Sequence, residues 1–426
     1  MHTSSSEASY GLKAWMVCFA GSLFFFFEFI QMNMFNALSP SLIQDFKVTG
    51  AKLGQVSAYY FYAIVCCVFI AGIILDRCST RKTILTAMTA CVISTFLFST
   101  TTEVWQAELC RLVTGIGGSF CFLSNVRLAS RWFSPRRMAL VIGCIVTFAM
   151  LGGTVAQTPL TLLVDSIGWR KTLVLDGCAG VLMLLIISLM VEDYPPGQAR
   201  IEKHNREFPL LKTIWLAVRN AQNWLGGLYT SFMNLPIFLL GAMWGSLYLV
   251  QVHHLSRADA SLVTTMIFVG TIVGSPFMGW LSDRMGRRRR PMIITAVLSL
   301  LVMLLVMYIP ELSMTALLIL FLLLGFFTSA QIISYPLIAE SNPLALTGSA
   351  EGLAATLIMA GGFLQPLFGY LMELRWDHHT QNGLPLYSWG NYQLGMMIMP
   401  CAFVLAFFVS LLVRETYGRF YEAKGK

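Results

Sequence analysis

Gly72-Ile73-Ile74-Leu75-Asp76-Arg77-Cys78-Ser79-Thr80-Arg81-Lys82 returns, 207 residues later, as Gly279-Trp280-Leu281-Ser282-Asp283-Arg284-Met285-Gly286-Arg287-Arg288. Both stretches read Gly-x-x-x-Asp-Arg before a basic cluster, and both close an apolar run. A second pair keeps nearly the same offset. Gly152-Gly153 leads to Gln157 and Pro159, and Gly361-Gly362 leads to Gln365-Pro366. Two unrelated patterns that share one spacing mark a tandem duplication. Each copy holds about six apolar segments, and a polar stretch joins them.

Composition names the solvent for those segments. The chain is 56% hydrophobic and 12% charged, where a soluble domain carries about 25% charged residues. The apolar residues fall in runs of the length, about 20, that spans a bilayer as a helix. The short alternating segments of a transmembrane barrel are missing from the pattern. The expected fold is an all-α polytopic membrane protein of about twelve spans. The expected domains are residues 1–192, a linker over 193–223, and residues 224–426. The first run, about Lys13–Leu38, is too long for the core of a cleavable signal peptide.

The net charge of +8 follows the positive-inside rule rather than pointing to nucleic acid. Arg77, Arg81 and Lys82, then Arg131, Arg136 and Arg137, then Arg284 and Arg287–Arg290 sit in alternate loops. Those loops and both termini are expected in the cytoplasm, with the chain in a bacterial-type inner membrane. Cys18, Cys66, Cys67, Cys91, Cys121, Cys144 and Cys401 lie in apolar runs, where cysteine behaves as a small hydrophobe. The six histidines fall in the tail or in loops. No metal-ligand spacing and no Gly-rich phosphate loop is present, so no metal, cofactor or direct ATP drive is expected.

One side chain breaks the apolar pattern sharply. Glu28 interrupts Phe24-Phe25-Phe26-Phe27 and Phe29 near the middle of the first span. An intramembrane acid costs several kcal/mol unless it faces a cavity or a partner, which makes it a functional candidate. Glu28 is the expected proton-coupling residue, and its repeat counterpart falls near the neutral Asn234. Arg111 lies about two turns into the fourth span. Its planar fork suits a carboxylate or phosphate, and pairing with Glu28 or snorkelling outward are the other readings.

The Gly72…Asp76-Arg77…Arg81-Lys82 stretch, its copy at Gly279…Asp283-Arg284…Arg287, and Arg111-Leu-Val-Thr-Gly115-Ile-Gly117-Gly118 resemble signatures of the major facilitator superfamily. The resemblance covers essentially the whole chain. It departs at Ser79, where the first copy often has Gly, and a modest change in loop shape is expected. It implies two pseudo-symmetric six-helix bundles with a substrate site near the bilayer midplane. It also implies a gating latch built from Asp76, Arg77, Arg81, Asp283, Arg284 and Arg287. On the spans that line the cavity in such proteins, Gln31, Asn234, Tyr59, Tyr62, Trp244 and Gln365 join Arg111 as substrate-binding candidates. The family's antiporter signature places a Gly-Pro pair before paired Gly. Here Gly152-Gly153 precedes Pro159, which favours symport or facilitated transport over antiport.

The expected function is secondary active transport of a small organic solute by alternating access, coupled to protons. A carboxylate-bearing metabolite, amino acid or peptide is favoured. A multidrug or siderophore transporter is the alternative, and a non-transporting sensor is the alternative of another class. Enzyme activity is not expected, since no paired catalytic carboxylates or Ser-His-Asp set stand together. The expected partners are the solute, the proton and the bilayer, with the chain a monomer.

Overall fold

The computed structural model describes residues 4–133, 137–195, 210–343, 346–381 and 384–417. Among these, twelve helices are long and apolar enough to cross a membrane. They are α1 Gly11–Asn33, α2 Gly50–Leu75, α3 Thr80–Ser99, α4 Val104–Trp132, α5 Leu140–Ile167 and α6 Trp169–Met190. Then come α7 Ala221–Val252, α8 Arg257–Met285, α9 Arg289–Tyr308, α10 Met314–Glu340, α11 Thr347–Glu373 and α12 Trp389–Leu412. A two-stranded ladder, Thr380–Gln381 against Leu384–Pro385, interrupts the helices before α12.

Hydrogen bonding inside each segment is what makes helices the answer, since hydrocarbon offers the backbone no other partner. Polar side chains start several of them. Ser79, Ser256 and Ser313 accept hydrogen bonds from the backbone amides of Lys82, Asp259 and Ala316 at the first turns of α3, α8 and α10, satisfying amides that lack helical partners.

The chain divides into two compact units. Unit 1 comprises Met1–Met34 and Tyr59–His204. Unit 2 comprises Phe35–Ala58 and Asn205–Lys426. In unit 1, α1 packs on α5 and α3 on α6; in unit 2, α7 packs on α11 and α9 on α12. The correspondence reaches individual atoms. A β-carbon on Gly115 of α4 would stand 2.2 Å from the Tyr60 carbonyl oxygen of α2. One on Gly325 of α10 would stand 2.1 Å from the Ile267 carbonyl of α8. Tyr60 and Ile267 are themselves 207 residues apart.

Several spans are not continuous helices. The first ends at Asn33 and a separate helix, Phe35–Phe46, follows a turn at Met34, where the sequence pattern runs one helix to Leu38. α4 divides into Val104–Gly118 and Cys121–Trp132, just after Gly117-Gly118. α5 breaks at Gln157 and α11 tightens into a 3₁₀ turn over Gly361–Phe363, so both breaks fall in the repeated Gly-Gly…Gln-Pro patterns. α7 widens after Pro236 into a π-helical segment, Ile237–Trp244. Kinks of this kind trace to proline, paired small residues or π-segments.

The two copies of the opening motif differ where the sequence differs. Gly286 ends α8 in the left-handed region, φ 58°, a conformation that glycine adopts without a Cβ penalty. Ser79 at the equivalent position is extended, φ −61° and ψ 126°, and caps α3 with its side chain.

Candidate functional site: a buried polar cluster in unit 1

A buried polar cluster in unit 1 is assembled from five of its helices. α1 presents Glu28 and Gln31 on one face, three residues and so about one turn apart. α3 presents Cys91 and Thr95, spaced by four. These form two rungs. Cys91 lies with its sulfur 3.8 Å from Glu28 Oε2. One turn on, Thr95 Oγ1 donates to Gln31 Oε1 at 3.1 Å. That bond orients the Gln31 amide, and its Nε2 donates to Asp176 Oδ2 of α6 at 2.5 Å.

α4 supplies the cation. Arg111 Nη1 donates to the Gln31 carbonyl at 2.8 Å, and its guanidinium carbon lies 4.6 Å from the Tyr60 ring centroid. A cation over an aromatic face at this range is favourable, more so when desolvated. Tyr60, on α2, presents its hydroxyl to the Glu28 carboxyl group, which also feels the Arg111 charge. Glu28 and Arg111 are 3% and 1% exposed, so neither meets bulk water in this arrangement.

The Arg111…Gly115…Gly117-Gly118 pattern has a steric reason. Gly115 admits the Tyr60 backbone. A β-carbon on Gly117 would stand 2.4 Å from the Cys91 sulfur, and one on Gly118 only 1.9 Å from Glu28 Oε1. Gly118 is the floor on which the Glu28 carboxyl rests, while Gly115 and Gly117 make room for the Tyr60 backbone and the Cys91 sulfur.

Other candidates are placed differently. Tyr59 and Tyr62 are half-buried and pair edge-on, 5.8 Å between centroids; the tyrosine that joins the cluster is Tyr60. In unit 2, Asn234 Oδ1 accepts from Gln331 Nε2 at 2.9 Å. Trp244 and Gln365 are fully buried there. Trp244 stacks on Phe368, 5.5 Å between centroids at 11°. Gln365 Nε2 donates to the Phe238 carbonyl at 2.9 Å, inside the π-helical segment. Sequence patterning did not single out Asp176, Tyr60, Cys91 or Thr95 as site residues. Asp176 is, like Glu28, an acid within an apolar span, but Arg170 and Lys171 precede it within two turns.

Of the latch candidates, the Asp76 side chain lies outside the described residues, and Arg77 is exposed. The Arg81 backbone amide donates to Asp193 Oδ1 at 2.8 Å and its Nη2 to the Ser188 carbonyl at 2.6 Å. Asp193 also stands 3.6 Å from Arg131. In unit 2, Asp283 pairs with Arg288 at 2.5 Å. Arg284 lies 5.2 Å over the Trp280 ring, and the Arg287 amide donates to the Ser282 carbonyl at 3.3 Å. Arg288 is the buried hub. It also binds Glu340 at 2.7 Å, and its backbone amide donates to Glu415 Oε1 at 2.6 Å. Among the described residues, no group of three or more His, Cys, Asp or Glu is placed to hold a metal ion.

The Major Facilitator Superfamily model matches residues 21–256 and 233–422. A probable hexose phosphate transport protein of Chlamydia muridarum is 25% identical over 319 residues, covering 68% of this chain and 69% of that one. A probable sulfoacetate transporter of Cupriavidus necator is 23% identical over 375 residues, covering 82% and 85%. The crystal structure of a bacterial homolog to the human lysosomal transporter Spinster superposes with a TM-score of 0.77 at 16% identity, covering 96% of this chain and 99% of that one. That likeness is one of fold. The family match spans nearly the full sequence and agrees with twelve spans in a duplicated arrangement. This multi-pass membrane protein, a transporter and not an enzyme, belongs to the Major Facilitator Superfamily.

Proposed function

We propose that this chain is a proton-coupled secondary transporter of a small organic anion, working by alternating access in a bacterial-type inner membrane with both termini in the cytoplasm. The observation that carries the reading is Glu28. It is an acid held deep in unit 1 by Cys91, Tyr60 and the Gly118 floor, within reach of the Arg111 charge. A buried carboxyl of this kind marks a proton relay or ion pathway in membrane proteins.

Arg111 serves this site as the fixed positive charge that Glu28 senses. Its bond to Gln31 and its seat on Tyr60 anchor it. Gln31 within unit 1, and Trp244 and Gln365 within unit 2, act as supports of their own unit. Tyr59 and Tyr62 are the solute-binding candidates we assign within unit 1, and Asn234 is, separately, the candidate within unit 2. The anionic class is supported by relatives that carry names of hexose phosphate and sulfoacetate transport. The orientation is supported by the basic residues of alternate loops. Asp76, Arg77, Arg81, Asp283, Arg284 and Arg287 are assigned to gating.

Uptake into proteoliposomes tests the reading, with a radiolabelled hexose phosphate and sulfoacetate as probes. Wild type is expected to accumulate one of them against its gradient when the lumen is alkaline. Glu28→Gln is expected to lose that accumulation and retain exchange of labelled for unlabelled solute. Accumulation by Glu28→Gln at the wild-type level, or uptake indifferent to the pH gradient, would overturn proton coupling at this residue. Binding of a probe without any exchange would identify a sensor instead.

A further inference from the structure

Asp176 takes no part in the reading above. It sits on α6 seven residues from Trp169, about 10 Å along the helix, and is 9% exposed. Among the described residues its hydrogen-bond partner is the neutral Gln31 amide, at 2.5 Å. Among the described residues no ion pair to a Lys or Arg reaches it. The neighbouring glycines fix its position. A β-carbon on Gly177 would stand 2.8 Å from the Phe96 ring, and one on Gly180 would stand 2.8 Å from Val92 and 2.9 Å from Phe27. α6 is therefore clamped against α3 and α1, and Asp176 faces into the unit.

The groups around it are few. From α1 come Gln31 and, one turn in, Glu28. From α3 come Thr95 and the Cys91 thiol. On α5, whose last segment packs on α6, the ionisable residue is Asp165, which is exposed. On α6 itself Arg170 turns back to the Thr101 carbonyl at 3.1 Å, and Lys171 is exposed. A bare carboxylate without a cation is expensive in such surroundings, and a proton is the counter-charge that needs no rearrangement.

Gln31 joins this acid to Glu28. Its side chain holds Asp176, its carbonyl holds Arg111, and Arg111 acts on Glu28. We propose that Asp176 is a second proton-binding carboxyl of unit 1, coupled to Glu28 through Gln31 and Arg111, so that the unit exchanges protons at two sites. The proposal rests on the proton-coupled reading of Glu28. No bond other than O–H forms or breaks. The proton comes from water and returns to it, and Gln31 carries none, acting as a positioning residue between the acids.

Infrared difference spectroscopy of the purified full-length protein, titrated with acid, reads the carboxyl C=O stretch directly and needs no substrate. Wild type is compared with Glu28→Gln, Asp176→Asn, the double variant and Gln31→Leu. Asp176→Asn is expected to delete one titrating band and to move the midpoint of the Glu28 band by about one pH unit, tenfold in proton affinity, the mark of coupled sites. Gln31→Leu is expected to keep both bands, and adding Asp176→Asn in the Gln31→Leu background is expected to leave the Glu28 midpoint where it is. A spectrum unchanged by Asp176→Asn makes Asp176 a tether and overturns the proposal. If Asp176→Asn does not fold, Asp176→Glu replaces it; a band that moves supports the site, and one that stays overturns it. A band lost in Asp176→Asn with none altered in Glu28→Gln overturns the Glu28 reading and the coupling together, a pattern distinct from failure at Asp176 alone.

Discussion

Gly115 and Gly118 sit one turn apart on α4 and face different obstacles. A β-carbon on Gly115 meets the Tyr60 carbonyl, a backbone atom that moves only if α2 and α4 part. A β-carbon on Gly118 meets the end of the Glu28 side chain, which can rotate. Over-packing costs roughly 1–3 kcal/mol. Gly115→Ala is expected at the top of that range and Gly118→Ala at the bottom, read as apparent melting temperatures of the purified protein. Gly118→Ala is nonetheless expected to lose pH-driven uptake, because it displaces the acid. A Gly118→Ala protein with normal uptake would show that the carboxyl does not need this seat. At this scale the sequence was half legible. Glu28 stands out because four phenylalanines precede it. Asp176 has no Lys or Arg ion pair among the described residues, yet along the chain it follows Arg170 and Lys171 within two turns and so resembles the edge of a charged loop. Tyr60 could not be told from Tyr59 and Tyr62, because choosing among adjacent residues on a buried helix requires the facing helix.

The helices themselves were readable from apolar run length, but their interruptions were not. A π-segment shifts the hydrogen-bond register by one residue while leaving composition unchanged. In α7 the local signal is Pro236, which says that a helix is perturbed and not how. The structure shows where the freed backbone goes. Gln365 Nε2 reaches the Phe238 carbonyl, and the Trp244 indole donates to the Gln365 carbonyl at 3.3 Å. An amide singled out as a substrate contact thus supports a neighbouring helix. Gln365→Leu removes the donor and leaves a buried carbonyl short of a partner, at a cost of about 1–3 kcal/mol. The expected outcome is a lower apparent melting temperature with faster amide exchange in Ile237–Trp244, while probe affinity in the transport assay holds. Weakened probe binding with unchanged exchange in that segment would restore Gln365 to the substrate site.

The duplication is visible in the whole molecule at positions where sequence offset conceals it. Arg81 and Arg288 are 207 residues apart, and each has its backbone amide bound by a carboxylate that follows the last helix of its own unit. Asp193 lies three residues after the end of α6 and Glu415 three after the end of α12. Those acids are 222 residues apart, so alignment at the motif's offset does not bring them together; equivalence to the helix ends does. Glu415 also accepts the Arg289 amide at 3.0 Å. A carboxylate on the free amides of a helix start satisfies backbone donors and complements the dipole. Each acid therefore closes its unit by tying the final helix to the start of the third. Asp193→Ala and Glu415→Ala are each expected to cost about 0.5–2 kcal/mol, the range for losing a helix cap. The caps belong to separate units and share no partner among the described residues, so the double variant is expected to show the sum of the two melting shifts, additive to within about 0.5 kcal/mol. A double variant no less stable than the weaker single one would mean that losing one cap already releases the other. The two closures would then act as one latch, and the units would be coupled through their repeated ends rather than each being held by its own acid.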